Sequence, residues 1–154
     1  MKINIVLLEP RMPGNVGTIG RLAYATGATL HLIKPYGFGE ITQKEVKRAG
    51  LDYWEHLDVL EYENIEDFWN KNPFSSRHFF ATTKTKRNYF EPSYKNNDYF
   101  YFGREDKGLP QELLHKQEKT CITIPMVNNA RSLNIANSVS VIVYDAIRQN
   151  ISEF

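Results

Sequence analysis

Three polar stretches of this chain carry the residue types that hold charged or nucleotide-like ligands. The first, Gly14-Asn15-Val16-Gly17-Thr18-Ile19-Gly20, comes after an apolar run and opens a helical pattern. Backbone N–H groups at a helix N-terminus suit phosphate or ribose oxygens. Asn15 is placed to cap that helix, and Arg21, further along it, is placed to reach the same ligand. An ion pair or a solvated surface charge also accounts for Arg21. A dinucleotide fingerprint fails here. The spacing is G-x-x-G-x-x-G, the connection Glu9-Pro10-Arg11-Met12-Pro13 is stiff where a tight turn is needed, and the next apolar run ends at Ile33-Lys34-Pro35 with no acid to hold a ribose.

The second stretch, Phe102-Gly103-Arg104-Glu105-Asp106-Lys107-Gly108-Leu109-Pro110, is bracketed by glycines and closed by a helix-starting proline. Its backbone can approach a ligand closely, although a strand-to-helix connection needing positive φ at glycine explains it equally well. The third runs from Ile124-Pro125-Met126 to Arg131-Ser132-Leu133-Asn134. Ser132 or Asn134 can cap a helix starting after it.

The elements that must position these loops are legible as short apolar runs. Ile3 to Leu8, Thr29 to Ile33, Phe79 to Thr82, Tyr99 to Phe102 and Cys121 to Ile124 have strand length. Their near-continuous apolarity predicts a parallel sheet covered on both faces. Between the first two, Val16, Ile19, Leu22 and Ala23 share a helical face that Gly27 terminates. Further helices are expected over Ile65 to Lys71 and from Pro110, with Leu113 and Leu114 inward, so helices and strands alternate in an α/β fold. The segment from Leu133 to Gln149 is rich in β-branched residues, yet its length without Gly or Pro exceeds strand length and predicts a helix. Ile135, Val139, Ile142 and Ala146 form its inner face, and Val141, Val143 and Ile147 add apolar surface elsewhere. Deep burial and a subunit interface both explain that excess.

With 154 residues, 42% of them hydrophobic, the chain suits one domain spanning 1–154. The net charge of +1 excludes a global basic field, so any nucleic-acid footprint is local. The lone Cys121 cannot pair within the chain, and in a strand it behaves as a small apolar residue. His31, His56, His78 and His115 lie too far apart for a metal-binding motif, so no metal is expected. No stretch has the length or flanks of a signal peptide or a membrane span, which predicts a soluble cytoplasmic protein without a membrane partner.

All three polar stretches begin where a parallel strand ends, the side on which open α/β sheets bind ligands. Together they resemble a family. Pro10-x-x-Pro13-x-Asn15-x-Gly17-x-x-x-Arg21-x-x-x-x-Thr26-Gly27, then Leu30-His31-Leu32-Ile33-x-Pro35-x-Gly37-Phe38, is similar to the opening of the trefoil-knot, SPOUT-type RNA ribose methyltransferases. Arg48-Ala49-Gly50-Leu51-Asp52-Tyr53-Trp54 resembles the subfamily acting on tRNA cytidine or uridine 34. The other two stretches look like its second and third motifs, so the likeness runs from Ile3 to Gln149.

This resemblance implies a parallel-sheet α/β domain with a deep C-terminal trefoil knot, a topology that general chain statistics disfavour. It implies S-adenosylmethionine as cofactor, held by Ala81, Gly103, Ile124, Ser132 and Leu133, with no metal. The missing side chain of Gly103 is expected to admit the adenosine. Arg21 falls at the position proposed to act on the ribose oxygen, with Asn15, Glu105 and Asn134 as supporting polar groups. The implied substrate is the wobble ribose in the anticodon stem-loop of a tRNA, leucine isoacceptors in particular. The implied state is a homodimer meeting through Val141 and Tyr144, with Val143 also a candidate. Lys44, Lys47 and Arg48 form one local basic group, and Lys84, Lys86, Arg87 and Tyr89 a second that pairs cations with an aromatic. A solvated charged face is the competing explanation for each lysine. Another RNA ribose site, a non-catalytic RNA-binding domain, and a different nucleotide-binding α/β enzyme are the alternatives in function.

Overall fold

The computed structural model describes residues 1–41, 44, 54–128 and 132–154. Lys47 and Arg48, the 48–53 motif and Arg131 therefore lie outside the described residues. Six strands, β1 (Ile3–Leu8), β2 (Thr29–Ile33), β3 (Val59–Tyr62), β4 (His78–Ala81), β5 (Asp98–Phe102) and β6 (Cys121–Ile122), form one parallel sheet in the order β3-β2-β1-β5-β4-β6. The helices are α1 (Pro13–Thr26), α2 (Ile65–Lys71), α3 (Gln111–Lys116) and α4 (Ile135–Gln149).

Alternation along the strands sorts side chains onto two cores. Ile3, Ile5 and Leu7 meet Val16, Ile19 and Ala23 of α1 and Val139, Ile142, Val143 and Ala146 of α4. Val6 and Leu8 face the other way, onto Phe68 of α2 and Leu114 of α3. Both faces are covered, which is why the strands read as continuous apolar runs. Cys121 is buried in the second core, as a small apolar residue would be.

Three expectations need correction. Asn15 does not cap α1. The helix starts at Pro13 with Met12 as a cap that lends no side-chain bond, because proline at the first position needs no N–H partner. The strand β3 was not expected, since Leu60 and Glu61 are exposed at the sheet edge and the segment lacks a continuous apolar run. The third correction is that the last strand is only Cys121–Ile122. Beyond it, Thr123 leaves β4 and takes a backbone bond from Tyr89 while giving one to Arg87, both 2.8 Å. The short β6 thus lies between β4 and a strap at residues 87–89.

At the amino ends of the strands, Arg77 donates to Asp98 through Nε at 2.7 Å and Nη2 at 2.5 Å, with the carboxylate fully buried. The polar loops extend from the opposite ends.

Candidate active site

The strand order reverses direction at β1 and β5. β1 leads to β2 on one side, and β5 closes the other, so the loops after them diverge and leave a crevice, as open α/β sheets do at such a switch point. A cleft of about 850 Å³ opens there. Its walls come from residues 12–15 after β1, 81–84 after β4, 102–109 after β5, 122–126 after β6, and the start of α4.

The loop after β5 is built by two glycines for different reasons. Gly108 has φ 71, a left-handed backbone that side chains resist. Gly103 has an ordinary backbone, but a Cβ there would fall inside van der Waals contact with the Gly108 carbonyl carbon and the Leu109 nitrogen. The missing side chain therefore admits the loop's own return, and Gly103 lines the cleft beside it. Arg104 and Gly108 exchange backbone bonds of 2.7 and 3.3 Å, closing the turn. The Arg104 guanidinium is clamped by Asp106 at 2.9 and 2.7 Å. That bond lowers the Asp106 carboxyl below its ordinary range and raises Arg104 above its own.

Glu105 ties this loop to the one after β1. Its carboxylate accepts from the Arg11 N–H at 2.9 Å, the Met12 N–H at 3.4 Å and the Asn15 amide at 3.4 Å. Asn15 Oδ1 in turn accepts from Asn134 Nδ2 at 3.3 Å, while Asn134 Oδ1 caps α4 through the Ala136 and Asn137 N–H groups at 2.8 and 3.3 Å. The chain Glu105, Asn15, Asn134 thus joins all three sequence-defined stretches. Each amide has its oxygen and nitrogen committed to different partners, so its orientation is fixed by the network.

All of Ala81, Gly103, Ile124, Ser132 and Leu133 line this cleft, together with Asn15, Glu105 and Asn134. Arg21 does not. It is exposed on α1, six residues past Asn15 and about 9 Å further along the axis at the usual helical rise. No hydrogen bond or ion pair engages it among the described residues. Lys84 lines the cleft, Lys86 and Lys44 are exposed, and Arg87 is tethered through its guanidinium to the Lys119 carbonyl. Tyr89 is half-buried at the end of the strap, where its N–H donates to the Thr123 carbonyl. Thr82, Thr83, Lys107, Met126 and Ser138 also line the cleft and were missed. The threonines come just after a strand's carboxyl end, so the rule that found the other loops would have found them too.

On α4, Val141 and Tyr144 are exposed, at 36% and 48%, as an interface position requires. Val143 is not a surface position. It is fully buried against α1 and the sheet, because it lies one turn past Val139 and shares its face.

Does the cleft suit S-adenosylmethionine? Its volume lies in the range that encloses small ligands. Its floor is apolar, from Leu109, Leu114, Ile122 and Ile142, and its rim offers backbone groups of loops 103–109 and 122–126. Those are the surfaces an adenosine and a short charged tail need.

Residues 2–144 match the model of the SpoU rRNA Methylase family. The tRNA (cytidine(34)-2'-O)-methyltransferase of Yersinia pestis is 44% identical, with 96% of this chain and 93% of that protein covered. A solved structure described as "Structural insights into the 2-OH methylation of C/U34 on tRNA" aligns with TM-score 0.91 and 37% identity, covering 98% of this chain and 97% of the other. An AdoMet-bound rRNA methyltransferase from Sinorhizobium meliloti aligns with TM-score 0.82 and 25% identity over 96% of this chain and 56% of its own.

Proposed function

We propose that this chain, which belongs to the SpoU methylase family, methylates the 2'-oxygen of the wobble ribose, position 34, in the anticodon stem-loop of a tRNA. The observation that carries this reading is the cleft at the β1/β5 switch, where Glu105, Asn15 and Asn134 form one hydrogen-bonded chain. Similarity to enzymes of that name runs over almost the whole chain.

S-adenosylmethionine, when bound, supplies an electrophilic methyl group for transfer to the ribose oxygen. The backbone around Gly103, with Ala81, Ile124, Ser132 and Leu133, holds it. Glu105 fixes the loop after β1, and Asn15 and Asn134 orient the group that enters beside it. Positioning of this kind supplies much of the acceleration in a displacement that needs reactants in line. Arg21, outside its own chain's cleft, is assigned to the RNA. An arginine is almost never deprotonated, so its role is to orient a phosphate or to stabilise negative charge growing on the ribose oxygen. Lys84 and Lys86 grip phosphates.

The finer reading has the enzyme act in the cytoplasm, on leucine isoacceptors bearing cytidine or a modified uridine, as a homodimer packed through Val141 and Tyr144. The C-terminal segment is read as threaded into a trefoil knot. In support, β6 runs between β4 and the 87–89 strap before the chain continues into α4. No helix among the described residues is long and apolar enough to cross a membrane.

The test is incubation with anticodon stem-loop RNA and labelled S-adenosylmethionine, then nuclease digestion and mass spectrometry. A 2'-O-methyl at nucleotide 34 is the expected product. A methyl on a base atom, or binding of NAD in place of S-adenosylmethionine by calorimetry, would overturn the reading.

A further inference from the structure

The sequence pairs the cations of residues 84–87 with Tyr89 as their aromatic, and the structure gives that place to a different ring. Tyr89 is half-buried and packs against the first core. Phe90, the next residue, is 49% exposed. It meets the Tyr89 ring almost perpendicularly, with centroids 5.2 Å apart, and so keeps one ring face toward solvent.

The turn that carries Phe90 is braced. The Tyr89 N–H donates to the Thr123 carbonyl at 2.8 Å and the Glu91 N–H to the Asn88 carbonyl at 3.1 Å. The Tyr94 hydroxyl donates to the Tyr89 carbonyl, and the Glu91 carboxylate accepts from the Asn88 N–H. Fixed backbone therefore holds the ring outward. A single exposed apolar residue is ordinary on a protein surface, and the neighbours of this one set it apart. Lys84, Lys86 and Arg87 are exposed, and the ammonium groups of Lys84 and Lys86 make no hydrogen bond or ion pair among the described residues. Arg87 holds the Lys119 carbonyl and keeps its charge. Residues 84–91 thus carry three cations and one acid, Glu91, which is turned onto backbone. This patch is continuous with the cleft. Lys84 and Thr123 line it, Asn88 is bridged to Thr123, and Phe90 follows two residues later, no more than about 7 Å along the chain from Asn88.

From this we infer that Phe90 is a stacking platform for an unpaired base of the RNA, one neighbouring the nucleotide that is methylated, while Lys84 and Lys86 hold the phosphates on either side. An aromatic face beside a row of cations is the combination by which single-stranded nucleic acid is gripped. Every base has a π-face, so the contact adds affinity without reading identity and accommodates either pyrimidine at position 34. The inference rests on the proposed tRNA methylation and deepens it by naming the residue that orders the RNA beside the target ribose.

The experiment measures binding of an anticodon stem-loop by fluorescence anisotropy over a range of salt, with methyl transfer at position 34 followed in parallel. Phe90→Ala should weaken binding by about fivefold or more, the lower end for loss of one stacked base, and leave the salt dependence unchanged. Phe90→Trp should restore affinity and Phe90→Leu should not, whereas Lys86→Gln should make the salt dependence shallower. Circular dichroism, sedimentation and S-adenosylmethionine affinity should be the same in Phe90→Ala as in the parent. Stem-loops lacking one loop base at a time complete the cycle, since on one of them the Phe90→Ala loss should disappear. Unchanged RNA affinity in Phe90→Ala, or a loss that persists on every such stem-loop, would overturn the assignment. A sedimentation shift in that variant would overturn it too, by placing Phe90 at a contact between copies of the chain. A parent that binds RNA through Phe90 but leaves position 34 unmethylated would support the platform and sink the proposed reaction, and methylation indifferent to Phe90 would do the reverse.

Discussion

Gly103 shows how one missing carbon shapes the site. Because a Cβ there would collide with backbone and not with a flexible side chain, the loop has no cheap way to yield. Gly103→Ala is expected to destabilise the protein by about 1 to 3 kcal/mol, the usual cost of overpacking. It should also weaken S-adenosylmethionine binding by about tenfold or more, because the displaced turn forms a wall of the cleft. Thermal unfolding and calorimetry check the two effects together, and an intact affinity would show that the turn can shift without disturbing the cleft. The glycine was legible from its bracketed motif, but its reason was not, since the sequence cannot say which atoms will fill the space. Asn15 was likewise legible as a polar group at a helix start. Its role as a link between Glu105 and Asn134 depends on residues ninety or more positions away, which local capping logic cannot reach.

At the scale of elements, periodicity found the helices and the central strands because both faces of this sheet are buried. It failed at β3, where an edge position exposes the adjacent Leu60 and Glu61 and removes the apolar signal. It also left the terminal helix ambiguous. Val143 and Ile147 proved to be core, so Val141 and Tyr144 remain as the outward apolar positions of α4. This separates two substitutions that the sequence alone treats as equivalent. Val143→Glu places a charge in a fully buried site and should unfold the chain, at a cost of several kcal/mol. Val141→Glu should leave circular dichroism unchanged and shift sedimentation toward the monomer, with reduced tRNA methylation. A parent that sediments as a monomer at micromolar concentration while fully active would remove α4 from any interface.

For the molecule as a whole, the histidines give stability a pH dependence that their spacing did not foretell. His31 is 2% exposed, with Nε2 against Asn4 Oδ1 at 3.0 Å and Nδ1 against the Tyr62 hydroxyl at 2.9 Å. His78 is 1% exposed and meets the Tyr101 hydroxyl at 2.6 Å. Burial lowers both from 6.5 to about 4, which the nearby Asp58 charge only partly opposes at His31. The unfolded chain therefore takes up these protons first, so stability present above pH 6.5 is lost as pH falls toward 4. Each histidine accounts for on the order of 3 kcal/mol of that loss. Urea unfolding at a series of pH values should show the decline, and replacing both histidines with asparagine should flatten it. A parent whose unfolding midpoint does not change between pH 7 and 4 would contradict the burial argument. The narrow β6 has a consequence of another kind. Its partners on the two sides, β4 and the 87–89 strap, precede it in the chain, so the slot it occupies is bounded by segments already synthesised when it emerges. Because residues 122–126 and the start of α4 complete the cleft, the ligand has no complete site on the chain until that strand is seated. Cofactor then binds the finished state alone and, by mass action, protects each molecule only once that strand is in place.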